Sequence, residues 1–540
     1  MAVDRLSTLP DRALHRVLSF LDVYDTPRTS VLSRRWRTLW RWADAVNLDT
    51  RSYWSHGYDG ESVGRALFRD ALAALGADGR CPVRRLDVHV ESYFQDDFVD
   101  GAMRTSPGMD AVLAAPAVRG LEELRVCLRV EFGDPCRLYA LPTSRVPCQS
   151  LRVLELAGLT LGPPGAAVFD RLETLKMVSI HSAVENLQAM LDAAPNLARL
   201  WLEYVSFKSE EHGGGGGNDD DSYTVTLPRR VLLRSPNATV AVTLMHCHHT
   251  DGLDLDAPNA RSLLYKGFLE KFPFSSTTPS GPPTHLQHVQ LSFCTTRWCY
   301  SDREPSTETP RHALFWDSFG IFSRLVVLKV KLLDINDIAV HSEQEQAFLK
   351  VFPNLKFLQL KGSYELDSYG TAVAIGNLLH CCPVLQELHL MFEIHGDLYA
   401  TPTGWVRHPE ERQAQLDLEK SMGLLQRLKS ERVTCSTSSG VDGDTFDDGD
   451  LYPLKVRSFP CLESHLRKIR LEFKLESFNC FEVKLTKFLV ENAVALEEIE
   501  VHDGDQRVYD HVHHKLAIWR ANSAKSRIKI VGKHNNGSRL

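Results

Sequence analysis

No run of eighteen apolar residues occurs in the 540-residue chain, so nothing in it has the length of a membrane-spanning helix. An N-terminal apolar run of the signal-peptide kind is missing as well, and the expectation is an intracellular protein of nucleus or cytoplasm with no membrane partner. Paired cysteine spacings are also lacking. The twelve Cys are scattered, which argues against a disulfide framework and reads as reduced thiols. Nor is there an excess of positive charge: Lys and Arg total 62 against 69 Asp and Glu, for a net charge of −7. Nucleic acid is therefore not an expected partner. Arg28, Arg34, Arg35, Arg37 and Arg41 do cluster, but the aromatics among them sit at helix-core spacing, which marks a solvated face of short helices.

Recognisable reaction chemistry is absent too. The chain has no G-x-x-x-x-G-K-[ST], G-x-G-x-x-G or G-x-S-x-G, and the run Gly213 to Gly217 lacks the lysine of a phosphate loop. Asp442 to Asp450 fails as a calcium loop, because its fifth and twelfth positions are Phe446 and Pro453. The densest metal-type cluster is Met245-His246-Cys247-His248-His249. Alternation along a strand would part Cys247 from the two flanking histidines, so the cluster reads as a polar strand. His511, His513 and His514 read as a solvated helix face, and Cys381-Cys382 as core packing. No catalytic residue, metal or cofactor is assigned.

What the chain does have begins at Leu6 to Trp42, where three short helices are expected. Thr8 and Asp11 fit a capping box with Pro10 inside the first turn. Leu14, Val17, Leu18 and Leu21 then share one helical face. Asp25 and Ser33 are placed to cap a second and a third helix, the third carrying Trp36, Leu39 and Trp40 on one side. So short a segment cannot bury this much Leu, Val and Trp within itself, so an apolar face is left for a partner. An ordinary helical start to a larger domain would show the same periodicity.

From Val83 a unit of the form L-x-x-L-x-L recurs. LEELRV begins at Leu121, LRVLEL at Leu151, LETLKM at Leu172 and LARLWL at Leu197. LQHVQL follows at Leu286, LVVLKV at Leu325, LKFLQL at Leu355, LQELHL at Leu385, LRKIRL at Leu466 and LEEIEV at Leu496, with VRRLDV at Val83 a degenerate first member. Leucines two apart on a strand share a face, and stacked units bury that face together. In FLKVFPNLKFLQL and LLHCCPVLQELHL, a preceding helix is expected to cover it and to end before Pro353 or Pro383. The fold expected is α/β: helices, then an irregular leucine-rich-repeat solenoid, horseshoe-like, closed by a terminal cap.

LPDRALHRVLSFL followed by RTSVLSRRWRTLW resembles the F-box of plant F-box proteins with leucine-rich repeats. SFPCLESHLRKIRL, the helix Glu482 to Asn492 running into ENAVALEEIEV, and a closing strand Arg527 to Val531 resemble the FBD module that often ends such proteins. The resemblance divides the chain into an F-box at 1–46, a helical connector at 47–82 and repeats at 83–434. Flexible insertions lie near 210–222, 275–284 and 301–310, and an acidic linker at 435–450 precedes FBD-like repeats and cap at 451–540. A charged helix is expected at Glu410 to Lys429. Removing Gly213–Asp221 or Ser436–Asp448 is expected to cost little stability.

The resemblance implies an F-box that docks a Skp-type adaptor and, through it, a cullin and a RING protein. The protein would be the non-enzymatic substrate receptor of a ubiquitin ligase, holding a protein target for others to modify. No RING cysteine–histidine ladder is present in the chain itself. Matching positions imply that Leu9, Pro10, Leu14, Val17, Leu18, Leu21, Val31, Leu32 and Trp36 face the adaptor. The competing reading places any one of these inside the F-box core. Strand alternation puts a second set on the face away from the leucines, as a target surface: Trp201, Lys329, Lys331, Phe357, Gln359, Lys361, Glu387 and His389. Trp201 and Phe357 could instead pack under an insertion. Two other functions fit the same residues: an adaptor-binding scaffold that directs no degradation, and an enzyme whose site the sequence does not reveal.

Overall fold

The computed structural model describes residues 9–54, 60–94, 108–132, 139–141, 145–162, 165–207, 230–247, 252–274, 279–281 and 283–294. It further describes 309–320, 322, 324–364, 369–394, 451–473, 481–503, 519 and 529–532. The insertion 210–222, the linker 435–450, the helix expected at Glu410 to Lys429 and the histidines near 511 lie outside the described residues, as do half of 275–284 and most of 301–310. The chain divides into two compact units, Met1–Gly267 with Lys271–Pro283, and Phe268–Glu270 with Thr284–Leu540.

The first unit opens with helix Asp11–Leu18, a 3-10 turn Pro27–Val31, helix Trp36–Leu39 and a 3-10 turn Trp40–Trp42. The middle element of the expected three helices is thus a single tight turn. Its sequence P-R-T-S-V is poor in strong helix formers, and the Thr29 hydroxyl turns back to donate to the Thr26 carbonyl at 2.7 Å. The expected side-chain caps also differ. Thr8 lies outside the described residues, and Asp11 sits in the first turn, where its carboxylate receives the Arg35 guanidinium at 2.8 Å. Asp25 and Ser33 offer their backbone carbonyls to Arg28 and Trp36 instead of their side chains.

The sheet of this unit begins with β1 (Ala45–Asp49), β2 (Arg85–Phe94) and β3 (Glu123–Phe132). Beyond the short β4 (Ala140–Leu141) follow β5 (Val153–Ala157), β6 (Thr160–Leu161), β7 (Thr174–Val178), β8 (His181–Ser182), β9 (Arg199–Glu203) and β10 (Ser206–Phe207). The unit ends with β11 (Val231–Arg234), β12 (Ala241–Met245), β13 (Leu253–Asp256) and β14 (Ser262–Gly267). The long strands pair in parallel in the order β1-β2-β3-β5-β7-β9-β12-β14. The short strands β4, β6, β8 and β10 form a second parallel ladder, and β11 pairs with β13. Helix Gly60–Leu75, in the expected connector, buries Val63, Leu67, Ala71 and Leu75.

The two ladders are joined by a repeated backbone device. After β5, β7, β9 and β12 the chain enters the left-handed region at Gly158 (φ 69°), Ser179 (φ 51°), Tyr204 (φ 51°) and His246 (φ 53°). Each of these N–H groups donates to a carbonyl at the end of the next strand of the sheet: Val178, Glu203, Met245 and Lys266. After β5, β7 and β9 the turn swings the chain off the long sheet and onto the short-strand ladder. Glycine is required at the first position, since a Cβ there would lie 1.8 Å from the Leu128 carbonyl oxygen.

The second unit holds β15 (His288–Phe293), β16 (Val327–Asp334), β17 (Phe357–Tyr364), β18 (Glu387–Ile394), β19 (Lys468–Phe473), β20 (Glu498–Asp503) and β21 (Lys529–Gly532). All pair in parallel in chain order. Helices Arg311–Phe319, Tyr369–Cys381 and Phe481–Asn492 precede β16, β18 and β20. The third buries Val483, Leu485, Phe488 and Leu489, the face its sequence proposes.

The helix expected to end before Pro353 is shorter than anticipated. It spans only Glu345–Phe348, and the backbone to Phe352 is irregular. There the Phe352 N–H donates to the Cys381 carbonyl of the following repeat at 2.7 Å, a bond that an α-helix could not offer. The leucines of every repeat point to one side. Leu328, Leu358, Leu360, Leu388, Leu390 and Leu471 are buried, while the residues between them are half-buried or exposed.

Candidate interaction surfaces

The F-box residues separate by burial. Leu14, Leu18 and Trp36 lie inside the helical core with Leu39 and Ala43, and Leu9 and Leu21 pack against it in part. These side chains hold the module together, so the leucine pair expected to face an adaptor is turned inward. The competing core reading describes them. Pro10 is exposed, as are Val17 (40%), Val31 (87%) and Leu32 (57%), and Phe20, which the sequence reading passed over, is 69% exposed. Large apolar groups this open on a module with its own core form a candidate interaction surface.

Polar side chains unremarkable in the sequence bind this module to the first repeat. Asn47 on β1 donates through Nδ2 to the Ser19 carbonyl at 3.0 Å and the Leu21 carbonyl at 2.9 Å. Arg85 on β2 reaches the same Ser19 carbonyl at 2.8 Å. The Val23 N–H donates to the Asn47 carbonyl at 2.8 Å, so the loop after the first helix covers the edge of the sheet. On the other side Arg80 donates to the Trp40 and Ala43 carbonyls, the latter at 2.9 Å. Leucine counting could not find these residues, because each acts through backbone carbonyls that carry no sequence signature.

The face opposite the leucines bears the second set. In the first unit it is a ladder of opposite charges in register: Asp87, Arg125, Glu155 and Lys176 occupy one row with Trp201. Arg125 donates to Glu155 and to Glu123, each at 3.1 Å, and Arg85 lies 3.2 Å from Asp87. Burial pushes the Asp87 carboxyl up, against the pull of Arg85 and Arg125. Trp201 is half-buried in this row. Lys176 Nζ sits 4.9 Å from its ring centre and its Nε1 donates to Glu203 at 3.0 Å, so it is held in place by neighbours on the same face.

In the second unit, Lys329 and Lys331 on β16, Phe357, Gln359 and Lys361 on β17, and Glu387 and His389 on β18 fall on one face of adjacent strands. Phe357 is half-buried and meets His389 edge-on at 4.7 Å, with Lys329 Nζ 5.7 Å from its ring centre. Gln359 Nε2 lies 3.4 Å from the Met391 sulfur. Burial and then the Arg470 guanidinium hold the His389 imidazole below its usual range, which favours the neutral ring with one donor and one acceptor nitrogen. All eight expected residues therefore lie on the side away from the leucines, seven of them in one contiguous part of the second unit and Trp201 in the first. Among the described residues no group of three or more His, Cys, Asp or Glu is placed to hold a metal ion.

Comparison with known proteins adds to this geometry. The F-box domain family matches residues 6–44, and the family described as "FBD-associated F-box protein At5g56370, LRR repeats" matches residues 109–211. The F-box/LRR-repeat protein At1g55660 of Arabidopsis thaliana is 28% identical over 207 residues, 37% of this chain and 52% of that one. The putative F-box/FBD/LRR-repeat protein At4g00315 of the same plant is 29% identical over 205 residues, 37% of this chain and 43% of its own. The FBD-associated F-box protein At3g52670, also from Arabidopsis thaliana, is 26% identical over 214 residues, 38% and 46%. The chain thus spans about half the length of the curated relatives it matches. With an F-box match at residues 6–44 and an FBD-associated leucine-rich-repeat match at 109–211, the chain is similar over these stretches to the plant F-box/FBD/LRR-repeat proteins.

Proposed function

We propose that the chain is the substrate-recognition subunit of a cullin–RING ubiquitin ligase of the Skp–cullin–F-box type. The observation that carries this reading is the exposure of Val17, Phe20, Val31 and Leu32 on a module whose core is already complete without them. A Skp-type adaptor would cover these groups and bring a cullin and a RING protein with it. The repeats, stacked as a solenoid, would hold a protein target on the face bearing Lys329, Lys331, Phe357, Gln359, Lys361, Glu387 and His389. The chain itself would supply no chemistry. It would raise the effective concentration of target lysines near a ubiquitin-charged enzyme.

Rigid attachment supports this role. Asn47, Arg85 and Arg80 fix the F-box to the first repeat through five hydrogen bonds to its carbonyls, which sets the direction in which a bound adaptor would lie. The test is target turnover. Proteins that co-purify with the full chain are followed in cells expressing either the chain or its Val31→Asp, Leu32→Asp variant, with and without proteasome inhibition. The reading expects shorter target lifetimes with the unaltered chain only, restored by inhibition. Equal lifetimes, with adaptor still bound by the unaltered chain, would make it a scaffold.

A further inference from the structure

One part of the first unit's face away from the leucines is apolar where the rest is charged. The row that reads Asp87, Arg125, Glu155 and Lys176 on β2, β3, β5 and β7 continues as Trp201, Thr243 and Leu264 on β9, β12 and β14. Across that trio the size of the side chains drops and rises again. Trp201 and Leu264 are half-buried, whereas Thr243 between them is only 7% exposed. Two strand spacings of about 4.8 Å set the larger pair about 10 Å apart at the backbone. Along β12 the neighbours on this face are Ala241 and Met245. A shallow trough results: Trp201 and Leu264 wall it, Ala241 and Thr243 floor it, and Met245 closes one end. The indole wall is held in place, with Lys176 Nζ 4.9 Å from its ring centre and Glu203 accepting its N–H at 3.0 Å.

Two polar groups at this trough have no partner among the described residues. Thr243 is almost wholly covered, yet its hydroxyl makes no hydrogen bond there. A buried hydroxyl left in that state costs free energy, and a ligand that brings a donor or acceptor recovers it. Arg199, exposed and in register with Ala241, stands at the open end and enters no ion pair among the described residues. The acids beside it are already engaged: Glu173, just before β7, accepts from Arg152 at 2.9 Å, and Glu203, at the end of β9, accepts from the Trp201 indole. An apolar slot, an unmet hydroxyl and an unmet guanidinium suit a stretch of extended polypeptide, which offers a side chain, a backbone amide and a carboxylate in turn.

We propose that this trough takes an extended segment of the target in which an apolar side chain of leucine size stands two residues from an acidic one. Side chains of an extended chain return to the same side every two residues, or about 6.6 Å. The step from Thr243 to Ala241 along β12 is the same, so an anchor seated over the threonine places the acid beside Arg199. The inference rests on the substrate-receptor reading above.

The test uses the full chain and a fluorescein-labelled peptide in which one leucine has a glutamate two residues away on each side, in a background of serine and glycine. Two control peptides replace the leucine by serine, or both glutamates by glutamine. Fluorescence anisotropy is read for the unaltered chain, for Thr243→Leu, which fills the floor, for Arg199→Gln, and for Arg129→Gln as a control on the same face. The parent peptide should bind, and each control peptide should bind at least about tenfold more weakly. Thr243→Leu and Arg199→Gln should each weaken the parent about tenfold, and Arg129→Gln should leave it unchanged. Arg199 is exposed, so its variant keeps the fold and decides the matter even where Thr243→Leu does not. No binding of the parent peptide, equal binding of all three peptides, or no loss in Arg199→Gln would overturn the proposal. So would self-association in sedimentation velocity that Arg199→Gln abolishes, since the occupant is then a second copy of the chain. The two readings fail separately. Peptide binding that depends on Arg199 without any change in target turnover counts against the receptor and leaves the trough standing. Target turnover that survives both substitutions counts against the trough alone.

Discussion

Replacing Leu388 by alanine tests the packed side of the repeat sheet. Leu388 has no exposed surface, and its register neighbours Leu358 and Ile469 are each 1% exposed. The substitution removes about three carbon groups, worth about 2.4 kcal/mol at about 0.8 kcal/mol each. A cavity term adds to that. Strand β18 is hydrogen-bonded on both sides, to β17 and β19, so the backbone cannot close on the space left behind. The total should fall at about 3–4 kcal/mol, inside the range of about 2–5 found for buried leucines. Phe357→Ala, one strand away and facing the other side, removes contacts to His389 and Lys329 worth about 1 kcal/mol or less. Because two units need not unfold together, amide hydrogen exchange of β17 to β19 is the measurement that isolates the effect. A loss below about 1 kcal/mol at Leu388, or a larger loss at Phe357 than at Leu388, would refute the assigned faces.

Asn47→Ala should cost about 1–3 kcal/mol, since it leaves the Leu21 carbonyl without its side-chain donor and the Ser19 carbonyl with Arg85 alone, and limited proteolysis should then release the F-box first. Burial raises the Cys381 and Cys461 thiols to about 12 and pushes Cys382 well above its ordinary value, so iodoacetamide at neutral pH should spare all three until unfolding, as read by mass spectrometry. Burial likewise pushes the Asp337 carboxyl up to about 6, from an ordinary value of 3.8, against the pull of Arg311. The folded form therefore binds this proton more tightly than the unfolded form, and stability from this group falls as pH rises from about 4 to about 6. Urea midpoints across that range should show the slope in the unaltered chain and lose it in Asp337→Asn.

The repeat strands were legible because alternation of leucine needs only local sequence. Every L-x-x-L-x-L unit named above coincides with a strand, and its leading residue is buried, as Leu121, Leu355 and Leu466 illustrate. The gap between Leu197 and Leu286 was illegible for a simple reason. Strands β12 and β14 fill it, but Ala238 and Ala260 take the buried place of the leading leucine, as Ala43 does before β1. Helical spacing located the F-box helix but could not say which way its face turned. Leu14 and Leu18 sit on the same side as the core supplied by Trp36 and Leu39, and only the three-dimensional placement of that core reveals it. The caps were misjudged because Arg35, twenty-four residues on, claims the Asp11 carboxylate that local logic gave to the helix start.

Equilibrium binding of a purified Skp-type adaptor to the full chain, by titration calorimetry, tests the central claim most directly. The account predicts tight binding to the unaltered chain and loss of binding in the Val31→Asp, Leu32→Asp variant, whose circular dichroism stays the same because both side chains are already in water. Undiminished binding by that folded variant would contradict it.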